Sequence, residues 1–203
     1  MSRLITNAIR STSASADAIT FDNSGKPAFP NGGAGKILQV VSVSDSVRET
    51  TGSVSMSTVN TYYDTPFTVT ITPTSSSNKI LLAGHVFGEF TNDDLYFMWR
   101  IERAISGGST TNIQAPSAGS RAIGISVPPS GFYNSNSDST PTAMVWSGLL
   151  DSPSTTSAIT YTFQVNATQN SNSTFYYNRC VTDSNAIDYE RGLSWITAQE
   201  IAA

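Results

Sequence analysis

Residues 158–168 read AITYTFQVNAT. Ile159, Tyr161, Phe163 and Val165 alternate with Thr160, Thr162, Gln164 and Asn166. A period of two puts the first set on one side of an extended strand and the second on the other. β-Branched and aromatic residues suit such a half-buried pleated surface. The pattern repeats upstream, where Phe67, Val69 and Ile71 alternate with Thr68, Thr70 and Thr72. Further strands are predicted over residues 36–44, 54–59, 79–91, 95–105, 121–127, 142–150, 175–180 and 193–201. Segment 79–91 is apolar on both sides in its first half, as a central strand would be. Turn-forming stretches such as PTSSSN (73–78) and DSPSTTS (151–157) separate the strands. Many short strands and no long helix predict an all-β fold, a two-sheet jelly-roll-like sandwich. The closing strand is expected to bury Trp195 and Ile201.

Residues 1–35 are different: Ser, Ala, Asn, Asp and Gly with scattered apolar positions. Such a segment cannot bury enough surface to fold alone. We read 1–35 as an extended N-terminal attachment arm and 36–203 as the β-sandwich domain. Leu4, Ile5, Ala8 and Ile9 have helix-like spacing, and 18–21 suits a short strand added to another sheet. Leu4, Ile5, Ile9, Phe21 and Phe29 are the arm's candidate assembly anchors. Each, mostly buried against a partner, would contribute ~1.5–3 kcal/mol.

Charged residues make up 13% of the chain, against a usual ~25%. Ser, Thr and Asn take their place, as on a β protein solvated by hydroxyls and amides. A net charge of −4 with scattered Lys and Arg argues against nucleic-acid binding, which draws on a basic patch. No run reaches the ~20 apolar residues of a membrane helix, and the N-terminus lacks a signal-peptide core. Membrane insertion and secretion are therefore not expected.

Chemistry-bearing residues are few. Gly35–Lys36 fails as a phosphate loop, because Pro30 stands where the first glycine belongs and Ile37 follows the lysine. Cys180 and His85 are the lone cysteine and histidine. A cross-strand dyad is conceivable, but a buried apolar Cys180 is the expectation. Glycan cleavage needs two carboxylates facing one bond. Glu89 and Glu102, with Asp93 and Asp94 nearby, are the candidates, and Glu102 is expected to pair with Arg100 and Arg103. Asn92–Asp94 and Asp183, Asn185 and Asp188 form acidic turns without the spacing of a calcium loop. Asn166 and Asn172 stand in N-x-S/T triplets. No catalytic residue, cofactor or metal is expected. Two aromatic pairs in apparent loops, Tyr62–Tyr63 and Phe132–Tyr133, are candidate glycan or host contacts, since a ring offers a sugar an apolar face. The alternative for these rings is packing.

Five stretches carry a resemblance. DAITFDNSGKPAFPN (17–31) resembles the lead-in to C-terminal modules of tailed-phage fibre proteins, especially those of marine phages. GKILQVV (35–41), ITPTSSSNKIL (71–81), LDSPSTTSAITY (150–161) and ITAQEIAA (196–203) are similar to that module's opening strand, hairpin, turn-and-strand and closing strand. The five occur in the family's order. The resemblance implies a homotrimeric β-sandwich on the virion surface, facing a receptor. It suggests a short fibre, spike or head fibre that binds host glycan through loops 106–119 and 130–140. It also suggests other virion proteins (capsid, tail or fibre base) as partners of the arm. A capsid decoration (cement) protein that stabilises the head is the alternative, and a secreted lectin-like sandwich a remote one.

Overall fold

In a computed structural model of the protein, the described residues are 8–9, 19–21, 27–28, 36–91, 96–129, 138–169 and 171–203. They form thirteen strands and one short helix. The first three strands are β1 (Ala8–Ile9), β2 (Ile19–Phe21) and β3 (Pro27–Ala28). Then come β4 (Ile37–Ser42), α1 (Asp45–Glu49), β5 (Gly52–Met56), β6 (Tyr62–Ile71), β7 (Lys79–Phe90) and β8 (Phe97–Ile105). The remainder are β9 (Thr110–Ile113), β10 (Thr142–Asp151), β11 (Ile159–Ala167), β12 (Ser173–Tyr177) and β13 (Trp195–Ile201).

Eight of these strands pair first with last. β4 pairs β13, β6 pairs β11, β7 pairs β10 and β8 pairs β9, all antiparallel. Two further ladders, β13–β7 and β11–β8, gather them into sheets ordered β4-β13-β7-β10 and β6-β11-β8-β9. A nested hairpin rolled in this way is a jelly roll. The sheets meet through large side chains. Phe90 stacks on Phe97 at 4.1 Å, and Trp146 packs on Trp99 at 5.0 Å and Phe163 at 5.4 Å. Phe67, Val69, Ile71, Ile159, Tyr161, Phe163 and Val165 all point into this core, as their alternation predicts.

Other expectations need correction. In β13 the inward residues are Ile196, Ala198 and Glu200, while Trp195 is 37% exposed and Ile201 half-buried. Residues 121–127 form no strand; Ser126 alone bridges to Trp99. Thr110–Ile113, expected in a loop, is β9. In the arm, Ala8–Ile9 is extended, not helical, and β2 pairs with β1 and β3 rather than with another sheet.

The two remaining strands fork the first sheet. Along one edge of β7, β13 pairs residues 79–85 and β12 pairs residues 88–90. β5 extends β12 as β4 extends β13, and α1 carries the chain between them. Asn178 and Ser194, both sealed from solvent, close the joint. The Asn178 amide donates to the carbonyls of Arg48 (2.7 Å), in the last turn of α1, and Thr50 (2.8 Å), just beyond it. Its oxygen accepts from Ser194 Oγ at 2.6 Å, and Ser194 Oγ accepts from Phe87 N at 3.0 Å. Asn178 has φ +61°, which asparagine tolerates better than alanine. Asn178→Ala is expected to lower stability by about 2–3 kcal/mol through unsatisfied buried groups and backbone strain. Asn178→Gly, free of the strain, should lose roughly 1 kcal/mol less. Urea denaturation of both variants checks the order.

Two carboxylates, Glu200 buried and Asp151 half-buried, fasten other ends of the roll. Glu200 is sealed inside and accepts from Thr74 N (2.6 Å), Thr74 Oγ1 (2.8 Å), Asn78 Nδ2 (2.6 Å) and Gln39 Nε2 (2.7 Å). Burial alone would raise its pKa, but bonds from Asn78, Gln39 and Thr74 outweigh burial and pull it down to about 2. Asp151 on β10 pairs with Arg103 on β8 at 2.7 Å and accepts from the Tyr161 hydroxyl at 2.8 Å, tying sheet to sheet.

Candidate interaction surfaces

Tyr62 and Tyr63 open strand β6 instead of lying in a loop. Tyr62 lies under the Arg100 guanidinium, 3.9 Å from its ring centre, and its hydroxyl donates to the Ile123 carbonyl at 2.7 Å. Burial raises the Tyr62 pKa and lowers that of Arg100. Around them the outer face of the second sheet is a polar cluster. Arg100 donates to Gln164 Oε1 (2.6 Å) and Gln114 Oε1 (2.9 Å); Gln164 Nε2 donates to Asp64 (2.7 Å) and Glu102 (3.1 Å). Segment 114–126 folds over it, so Gln164 and Asn166 are buried although they point away from the core. Tyr63 Oη sits 3.1 Å from Ser57 Oγ and accepts from Thr58 N at 2.9 Å. One face of Tyr62 is thus taken, and Tyr63 braces its own turn. Phe132 and Tyr133 lie outside the described residues, as do Leu4, Ile5, Phe29 and Asn92–Asp94. Of the other anchor candidates, Ile9 is exposed and Phe21 half-buried.

The remaining chemistry is dispersed. Glu89 and Glu102 lie on different sheets, and their side chains point to opposite outer faces. Glu89 is 1% exposed and accepts from Thr140 N, Thr140 Oγ1 and Val181 N, so it closes a loop. Glu102 takes the Gln164 amide, while the expected partner Arg103 turns to Asp151. His85 stacks on Trp195 at 4.5 Å and donates from Nδ1 to the Leu193 carbonyl. Cys180 is buried beside Glu190, and burial pushes its thiol up to about 11. Asp183 is engaged by Arg191 and by Arg179. Asn166 is wholly buried and unsuited to carry a sugar. Among the described residues no three His, Cys, Asp or Glu side chains gather as metal ligands, and no helix is long and apolar enough to cross a membrane.

A different surface stands out, and the sequence reading missed it. On the outside of sheet β4-β13-β7-β10, register aligns Val40, Gln199, Leu81 and Leu150 in one row. Trp195, His85 and Val145 form another. Leu38, Val40, Val145, Leu150, Leu193 and Trp195 are 37–65% exposed, and Leu81, Ala83 and Ile201 between them are half-buried. The signal was present. Ile37–Leu38, Val40–Val41, Ile80–Leu81 and Leu149–Leu150 are apolar doublets, which give a strand two apolar sides. The outside of the other sheet carries Thr68, Thr70, Thr160 and Thr162 beside the polar cluster. Thr70 and Thr160 hydrogen-bond across strands at 2.9 Å.

No family model and no curated protein matches this chain. Among solved structures, it is similar to a chain of infectious bursal disease virus, Gt strain, at TM-score 0.38 and 10% identity, covering 98% of this chain and 46% of that one. A chain of the Gx strain gives TM-score 0.31 at 10% identity, with the same coverage. This chain thus spans about half the length of both. Likeness at these scores carries no functional argument.

Proposed function

We propose that this chain is a non-enzymatic structural protein on the surface of a tailed-phage virion: a short fibre, spike or head fibre. In this reading residues 1–35 anchor to capsid, tail or fibre base, and the jelly roll, as a homotrimer, faces the host. The carrying observation is the division of the roll into an apolar outer face and a Thr- and amide-rich one. An apolar face that wide suits a protein neighbour. The part of the polar face that segment 114–126 leaves open, with Asp64, Thr68 and Thr70 exposed, is the one left for host glycan. The apolar face also favours a second reading, capsid decoration, in which it seats on the shell.

Immunogold microscopy of intact particles, with antibody against residues 36–203, tests the reading. Gold on the tail or on thin head projections supports the fibre, and gold spread over the capsid supports decoration. Unlabelled particles overturn both. Deleting residues 1–30 is expected to leave a folded domain with an unchanged melting curve and to abolish its incorporation into particles. Normal incorporation of the truncated chain would refute the anchor role.

A further inference from the structure

The apolar outer face of sheet β4-β13-β7-β10 is open along its length. We propose that copies of this chain meet through it, an inference that rests on the assembly reading above.

Three observations carry it. The first is size. At about 80–100 Å² apiece, the six exposed residues present roughly 500–600 Å², the top of the range for the largest patch on a monomer. With Leu81, Ala83 and Ile201 filling the gaps, the face approaches the ~800 Å² per partner of a standard interface.

The second is charge. The ionisable groups on the four strands' outer face are Lys79 at one margin, Glu89 at the other and His85. Glu89 is buried under Thr140 and Val181. His85 is stacked on Trp195, with Nδ1 occupied. A charged partner would find no complement here. The same face of another copy meets it without like-charge repulsion, whether across a two-fold axis or gathered around the three-fold axis of a trimer. The opposite sheet, with its Thr rows, Asp64, Arg100 and Glu102, is no match for it.

The third is the edge. Edge strands of native sheets are blunted against unwanted pairing. Here β6 carries Pro66, β10 bulges around Gly148 at φ +75°, and β9 and β5 have only 4 and 5 residues. The sequence of β4, ILQVVS, has no proline and no charge. Apart from a register shift between Glu200 and Ile201 in its ladder to β13, this edge carries none of those devices, and it borders the apolar face that a second copy would cover.

Light scattering on the full chain gives the test. The expected mass is a multiple of 21.6 kDa. Val40→Asp and Val145→Asp, at exposed positions outside the core, should each return the monomer with unchanged circular dichroism. Thr68→Asp, on the opposite face, should leave the mass unchanged. Acrylamide quenching is the second readout. Trp99 and Trp146 are 3% and 8% exposed, so added quenching in the aspartate variants reports Trp195. A wild-type monomer with Trp195 open to quencher overturns the inference, and so does an oligomer that survives both aspartates. A wild-type monomer would also remove the homotrimer from the reading above, while the virion location is decided separately by immunogold.

Discussion

Glu200→Ala is expected to destabilise the fold by about 2–4 kcal/mol, because the buried Asn78 amide and two less buried donors lose their acceptor at once. Thr74 N, Asn78 Nδ2 and Gln39 Nε2 converge on this one carboxylate. The buried Asn78 amide is left with the Thr74 hydroxyl at 3.2 Å, at about 1–3 kcal/mol. Gln39 Nε2 keeps the Thr72 carbonyl at 2.7 Å and Thr74 is exposed to water, so both lose less. For a chain of this length that loss lowers the melting temperature by roughly 5–15 °C. Glu200→Gln keeps an acceptor oxygen and should lose less. The acid limb follows from the same geometry. The folded-state pKa, about 2, lies below the ordinary 4.5. The carboxylate therefore stabilises the fold fully above pH 4.5 and loses that contribution as pH falls toward 2. The change amounts to about 3 kcal/mol. Denaturation of wild type and Glu200→Gln between pH 2 and 6 checks it: the wild-type curve should fall more steeply. Parallel curves would mean that other carboxylates govern acid unfolding.

Asp151→Ala should be comparably severe, by about 3–5 kcal/mol, for a different reason. It leaves the Arg103 guanidinium, 18% exposed, as an uncompensated charge between the sheets. It also removes the acceptor of the Tyr161 hydroxyl, whose pKa is raised by burial and by the Asp151 charge. Removing both charges, as in Asp151→Leu with Arg103→Met, should recover much of the loss, since a well-packed apolar pair often equals a buried ion pair. A double variant as unstable as the sum of the single ones would show that the pair's worth lies elsewhere.

These two carboxylates explain what was legible in the sequence. Alternation in 159–165 and 67–71 gave the right faces, because every inward residue there is apolar. In β13 the same logic failed. A glutamate at 200 reads as outward, which turns Trp195 and Ile201 inward. Four hydrogen bonds hold Glu200 inside and reverse the whole strand. Asp64 and Pro66 hid the start of β6, since they resemble a turn; an edge strand tolerates both. The Thr110–Ile113 strand is too polar to show a period. The apolar face was visible as doublets, but a doublet cannot say whether its second side meets the core or a neighbour. The stretches that resemble fibre modules contribute Gln39, Thr74, Asn78, Asp151, Tyr161 and Glu200. Their residues hold this roll together, which is why they read as fold markers and reveal no site.

The place where the arm joins the roll has a mechanical consequence. Residue 36 leads straight into β4, which is laddered to β13 alone in its sheet, beginning with the bond from Ala202 N to the Lys36 carbonyl. Tension arriving along the strand axis loads the ladder in shear, so its bonds share the force and break together. A sideways tug peels them singly, starting at Lys36. A tether attached at this point withstands drag in one direction and releases in another.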